Sequence, residues 1–442
     1  MKEQSKIPTG KVQRAARFVK TGAQIGGNYL KYYTKKAMNP EMGREELDMD
    51  NAGDIYNSLS ELKGSALKVA QMMAMDKNLL PGAYQQQFQM AQYSAPPLSY
   101  PLVVKTFQKY FGNSPSQIYN TFTKNAINAA SMGQVHQATL DGKKLAVKIQ
   151  YPGVSNSVKS DLKLVRPFAI RLLKINEKEL DRYMGEVEEK LLEETDYELE
   201  LRRSVEISQA CQDIDGLFFP NYYPELSSER IITMDWLDGM HLKEFLKTDP
   251  SQEVKNKIGQ ALWDFYHHQI HNLRKVHADP HPGNFLMRED GTLGIIDFGC
   301  IKVIPEFFYD RYFALIRKDM LAEDGNEDIN KIFEELEFLV PEDSPKDRKL
   351  FTGIFKEMIG LLGRPFHADR FDFSDDAYFK QIFDLGERIG NMEEVRNNKA
   401  ARGSRHGLYI NRTYFGLYNI LNDLKAEITT TKPEWLEVTV ES

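Results

Sequence analysis

Apolar and polar positions change period along this chain, and each change marks an element. Val135-His-Gln-Ala-Thr-Leu140 and Leu145-Ala-Val-Lys148 flank Asp141-Gly142, a pairing of β-rich runs with a turn dipeptide that predicts a hairpin. Strands are expected over about 117–149, and Arg230-Ile-Ile-Thr-Met-Asp-Trp236 reads as another, leading into Leu237-Asp-Gly239 as a hinge. Helical spacing covers 46–111, broken at Leu80-Pro-Gly82 and Ala95-Pro-Pro97, then 156–175, 178–212 and 251–274. Short strands flank Glu289-Asp-Gly291. From Pro305 the pattern is helical to about Leu424, with loops near 363–376 and 399–407. Together these elements predict an α+β fold.

Near the N-terminus Val12, Ala15, Ala16, Val19, Ala23, Gly26, Leu30 and Tyr33 repeat at a helical period, with Lys11, Arg14, Arg17, Lys20 and Lys31 around them. Residues 1–36 hold nine Lys or Arg against one acid, Glu3, and Glu41–Asp54 turns acidic. Such a helix can lie on an anionic leaflet, or pack on the protein body with a solvated basic face. Both readings stay open. No run approaches the roughly 18 apolar residues of a spanning helix, so the expectation is a cytoplasmic protein with at most peripheral contact at an inner membrane face.

With 442 residues and 41% hydrophobic content, the chain can bury a two-lobed core and carry an extension. Its net charge of −7 argues against a nucleic-acid partner. Cys211 and Cys300 stand far apart, which fits neither a disulfide framework nor a structural zinc site.

The densest chemistry lies in His277-Ala-Asp-Pro-His-Pro-Gly-Asn-Phe285, followed by Ile295-Ile-Asp-Phe-Gly299. An Asp five residues before an Asn, and an Asp-Phe-Gly beyond, is the layout of a kinase-type phosphoryl-transfer site. Asn284 and Asp297 offer hard oxygen ligands for Mg²⁺ on ATP, which leaves Asp279 to orient a hydroxyl or water. The bland alternative, a solvated acidic turn between strands, does not account for the spacing. Lys148, closing an apolar strand, can reach the phosphates if a helix carboxylate holds it; Glu200 is the candidate and Glu198 the fallback.

Phosphate-covering loops normally carry three glycines because the backbone must approach the phosphates closely. Here Gly133-Gln-Val135 keeps only the last, and Asn128 and Ala130 stand at the other two positions. Ala129, Ala130, Ser131, Gly133 and Val135 are therefore the nucleotide-loop candidates. No Ala-Pro-Glu and no activation segment follow Gly299, which makes a peptide-substrate groove doubtful.

On these residues the chain resembles the UbiB/AarF family of atypical kinase-like proteins, from about Lys11 to Leu424. The marks are the alanine-rich loop, Glu194-Thr-Asp-Tyr197, the His277–Asn284 loop and Lys68-Val-Ala-Gln71. The resemblance implies a bilobal protein-kinase-like fold with a mostly helical C-lobe. It divides the chain into residues 1–115 (basic segment and helical extension), 116–238 (N-lobe) and 239–442 (C-lobe). It also implies that Lys68 pairs with Glu194 and Asp196 and blocks protein substrates, with Gln71 beside it and Glu200 as partner of Lys148. Ala70 replaces the family glycine. Without the family, Lys68 and Gln71 read as the polar stripe of an amphipathic helix beside Leu62, Ala66, Val69 and Met73.

The expected function is Mg-ATP-dependent phosphoryl transfer, as an ATPase or a small-molecule or lipid kinase supporting isoprenoid quinone (ubiquinone) biosynthesis. ATP, anionic lipid and quinone-pathway intermediates or enzymes would be its partners. Two rivals stay open: a small-molecule kinase of aminoglycoside- or choline-kinase type, and a non-catalytic nucleotide- or lipid-binding scaffold. His267, His268, His271, His277 and His281 crowd around Asp279 in sequence. A histidine metal centre is disfavoured, because the first three share one helix and cannot all face one site. His277 is expected to brace the loop instead.

Overall fold

The structure is a computed structural model describing residues 11–38, 43, 45–62, 68, 97–129, 132–173, 177–321, 327–398, 400, 402–430 and 433. The chain divides into two compact units, Met1–Arg202 with Asn221–Trp236, and Arg203–Pro220 with Leu237–Ser442.

In the first unit, helices α1 (Lys11–Met38) and α2 (Glu45–Leu62) pack together. Asn28 Nδ2 donates to Asn51 Oδ1 at 3.1 Å and Asp54 Oδ2 at 2.8 Å. The buried side of α1 carries Thr21 and Tyr32. Val19, Leu30 and Tyr33 are 74%, 72% and 56% exposed, so the described part of the apolar stripe points away from the protein body.

An antiparallel sheet follows in the order β1 (Thr121–Phe122), β3 (Gly133–Leu140), β4 (Lys143–Gln150) and β5 (Ile231–Asp235), with β2 (Asn128–Ala129) also on β3. The β3–β4 turn places Asp141 and Gly142 at φ 50° and 79°, the left-handed pair that a two-residue hairpin matching strand twist requires. Helix α3 (Tyr100–Phe111) buries Val103 and Phe107 against Ala138, Leu145, Val147 and Ile149.

Helix α4 spans Val154–Leu173. The helix expected over 178–212 is two helices, α5 (Glu177–Glu194) and α6 (Tyr197–Ala210). Asp196 Oδ1 accepts from the Leu199 backbone N–H at 2.9 Å and starts α6 as its N-cap. The Thr195 carbonyl, which a continuous helix would use internally, instead accepts from Gln150 Nε2 at 3.0 Å and Arg230 Nη1 at 2.8 Å. Tertiary donors thus fix the break that period alone does not reveal.

The second unit is built on α7 (Gln252–His268), whose Ile258, Leu262, Trp263, Phe265 and Tyr266 are fully buried. The helix runs on as a π-turn, Gln269–Leu273, and stops at Arg274 with φ 54°. Lys275–His277 then pairs antiparallel with Ile301–Val303. Phe285–Met287 pairs with Leu293–Ile295, which also takes Leu217–Phe218 in parallel. Helices α8 (Glu306–Ala314), α9 (Pro345–Leu362), α10 (Asp376–Asn391) and α11 (Arg405–Leu424) also belong to the unit. The strand Arg370–Asp372, within the loop expected near 363–376, pairs with Glu427–Thr429, which lies beyond the expected helical stretch; three residues are too few for a period of two to show. Among the described residues no helix is long and apolar enough to cross a membrane.

Candidate functional site

In the first unit Lys148 sits on β4 directly opposite Val135 on β3. Its Nζ lies 2.6 Å from Glu200 Oε1, with the side chains 19% and 6% exposed. Burial at that level demands a partner for each charge. The Tyr197 ring sits under the same ammonium, 5.3 Å from ring centre to Nζ. Glu198, the fallback, is exposed, because α6 turns residues two apart to different sides.

Gly133 is required by packing. A Cβ there would come within 2.6 Å of the Ile149 carbonyl oxygen and 2.7 Å of Tyr197 Oη. Ala129 pairs with Gln134 in the β2–β3 ladder; Ala130 and Ser131 lie outside the described residues. Lys68 Nζ lies 3.1 Å from Glu194 Oε2, with side chains 20% and 11% exposed. Asp196 is the N-cap of α6 described above, and Gln71 lies outside the described residues.

In the second unit the loop after Lys275–His277 is held from several sides. His277 donates Nε2–H to the Asp297 carbonyl at 2.7 Å, and its backbone N–H donates to Gln269 Oε1 at 2.9 Å. Tyr266 Oη lies 3.3 Å from His277 Nδ1. Since a carbonyl only accepts, the imidazole carries its proton on Nε2. Gln269 is buried in the π-turn, so that widened turn supplies a brace for the loop.

Asn284 Nδ2 donates to the Asp279 carbonyl at 3.0 Å, and Asn284 O accepts from the Ile296 backbone at 3.2 Å. Asp297 Oδ1 accepts from the Gly299 backbone N–H at 2.8 Å. Strand Phe285–Met287 and its partner therefore bring Asp279, Asn284 and Asp297 into one connected loop system. A carboxylate and an amide carbonyl are the hard-oxygen donors that suit Mg²⁺.

Arg412 on α11 completes this cluster, its Nη2 2.9 Å from Asp279 Oδ1. Nothing near Asp279 in the chain points to it. The available signal is weak: beyond Arg405 and His406, Arg412 is the one cation in α11. The helix also comes in close, since a Cβ on Gly416 would meet Pro280 Cγ at 2.2 Å.

His267, His271 and His281 have structural partners. His267 stacks near Trp263, and burial pulls its pKa down to about 4. His271 Nδ1 lies 2.7 Å from Tyr309 Oη, and burial likewise lowers its pKa. His281 Nδ1 accepts from the Gly283 backbone at 3.0 Å. After Gly299 the chain enters Ile301–Val303 and α8 at once.

Residues 90–333 match the ABC1 atypical kinase-like domain. The chain belongs to this family, the UbiB/AarF group of atypical kinase-like proteins. The atypical kinase COQ8, mitochondrial, of Saccharomyces cerevisiae is 26% identical over 97% of this chain and 85% of its own. AarF domain-containing protein kinase 1 of Xenopus tropicalis is 30% identical over 70% of this chain, which spans 62% of that protein. The solved complex of Rv3197 with erythromycin from Mycobacterium tuberculosis aligns with a TM-score of 0.59 at 24% identity, over 87% of this chain and 94% of that one. That likeness shows the fold. The UbiB/AarF chain is thus kinase-like, mixed in helix and sheet.

Proposed function

We propose that this UbiB/AarF protein binds Mg·ATP and acts as an ATPase or as a kinase on a small molecule or lipid, in support of isoprenoid quinone biosynthesis. The observation that carries the reading is the loop system of Asp279, Asn284 and Asp297, cross-linked by the Asn284-to-Asp279 and His277-to-Asp297 hydrogen bonds. Mg²⁺, when bound, would neutralise phosphate charge. Asn284 and Asp297 would hold the ion. Lys148, steadied by Glu200, would hold phosphate oxygens. Asp279, fixed by Arg412, would orient the attacking hydroxyl or water. The short path from Gly299 to α8 supports a small acceptor over a peptide. The quinone role rests on family membership, and an anionic membrane is the proposed partner of α1.

Mg·ATP turnover and nucleotide affinity of the Asp297→Asn variant test the site. Turnover should fall by about 10²-fold or more, as for loss of one electrostatic stabiliser of a transition state, with Mg²⁺-dependent affinity reduced. Unchanged affinity and turnover would remove Asp297 from the site. Nucleotide binding without turnover by the parent protein, with or without lipid, would favour the scaffold.

A further inference from the structure

A cavity of about 170 Å³ opens within the second unit between α8, α9 and α11. Its walls are mainly apolar and aromatic, Phe338, Phe355, Ile359 and Tyr414 among them. Leu408 and Phe415, which also line it, are 55% and 38% exposed and make a greasy lip on α11. Apolar cavities of about 150 Å³ stay dry and take up a benzene ring, so this space suits one ring with a short substituent.

Arg402 and Asn411 are among the polar groups on the wall and narrow the chemistry. Arg402 is paired with a carboxylate: Nη1 donates to Asp343 Oδ2 at 2.9 Å and to the Phe338 carbonyl at 2.9 Å, and Nη2 donates to Asp343 Oδ1 at 2.5 Å. Its guanidinium stacks on the Phe351 ring at 3.4 Å. Its buried Nε–H is without a partner among the described residues; with Asp343 offsetting the guanidinium charge, an anionic ligand would gain no net cation there. Asn411 Oδ1 accepts from the Tyr312 hydroxyl, and burial raises the Tyr312 pKa, so that donor keeps its proton. The amide is thereby oriented with Nδ2 as its donor.

We infer that this cavity binds a neutral, ring-sized apolar molecule carrying one hydrogen-bond-accepting oxygen, which Asn411 Nδ2 meets. The consequence reaches the loop system, because α11 presents Asn411 to the cavity and the next residue, Arg412, to Asp279. Gly416 on the same helix lies against Pro280. A filled cavity braces the helix that holds the Asp279 carboxylate.

Ligand-observed NMR on the full chain tests this with acetophenone, ethylbenzene and benzoate, which share a ring and differ in acceptor and charge. Acetophenone should bind roughly fivefold more tightly than ethylbenzene, the value of one net hydrogen bond, and benzoate should not compete. Met358→Trp, which fills the cavity, should abolish acetophenone binding. Asn411→Leu with Tyr312→Phe leaves no orphan hydroxyl and should erase the preference for acetophenone over ethylbenzene; it decides the matter if Met358→Trp does not fold. Undiminished acetophenone binding by folded Met358→Trp, or equal binding of all three probes to the parent protein, overturns the proposal. No nucleotide is present, so this outcome is separate from that of the phosphoryl-transfer reading.

Discussion

Lys148 and Glu200 illustrate how one residue pair can be structural and functional at once. Truncating either partner leaves the other charge largely buried, which costs about 3 kcal/mol. Lys148→Met with Glu200→Leu removes both charges, so chemical denaturation should show most of that stability restored. Nucleotide affinity should stay low in the double variant, because the Lys148 ammonium is gone. Recovery of affinity along with stability would make the pair purely structural. His267 supplies a different readout. Its pKa is about 4 in the fold against about 6.5 unfolded. Between these values the unfolded chain binds the extra proton, so this residue's contribution is intact above pH 6.5 and is lost as the pH falls to 4. The full loss is roughly 3 kcal/mol. Unfolding measured against pH should show a shallower acid decline for His267→Phe than for the parent; equal slopes would mean that His267 does not stay neutral in the fold.

At the scale of elements, what was legible depended on whether the signal was local. The β3–β4 hairpin could be read because Asp141-Gly142 and its flanking runs carry both turn and register. The Asp279–Asn284–Asp297 spacing could be read because one strand pair bridges it. The break at Thr195-Asp196 could not, because Gln150 and Arg230 come from other elements to claim the Thr195 carbonyl. Arg412 was hidden for the same reason, lying 133 residues from Asp279. Helix glycines make this non-local dependence measurable. Gly386 in α10 has nothing within 4 Å of a added Cβ, so Gly386→Ala should raise stability by up to about 1 kcal/mol through helix propensity. Gly416→Ala makes the same local change, yet its Cβ would strike Pro280. Thermal unfolding should show it destabilised, by about 2 kcal/mol as for overpacking, with turnover reduced because Pro280 adjoins Asp279. Two equally stabilised variants would mean that α11 does not lie this tightly on the loop.

For the molecule as a whole, the question is where a chain of net charge −7 would meet an anionic surface. The helical period of α1 was legible in sequence, but its orientation was not. Asn28 bonds to α2 and Thr21 and Tyr32 are buried, which turns Val19, Leu30 and Tyr33 outward. Exposed Lys20 and Lys31 lie beside that stripe. An apolar stripe flanked by cations matches the boundary between headgroups and acyl chains, and each lysine near an anionic leaflet contributes about 1 kcal/mol. The protein should therefore float with vesicles containing phosphatidylglycerol and much less with phosphatidylcholine alone. Raising salt should weaken binding through screening, while leaving the apolar part. Replacing Val19, Leu30 and Tyr33 together by serine removes mostly exposed groups, Tyr33 giving up its ring contacts with Tyr29 and Tyr32, so the fold should hold while vesicle partitioning drops by about tenfold or more. Lys20→Glu with Lys31→Glu should abolish the preference for the anionic vesicles. Equal binding to both vesicle types, or full binding by the triple serine variant, would locate any membrane contact away from α1. Because Asp297→Asn leaves α1 untouched, that variant should bind vesicles like the parent, separating the membrane contact from the chemistry at the Asp279 loop.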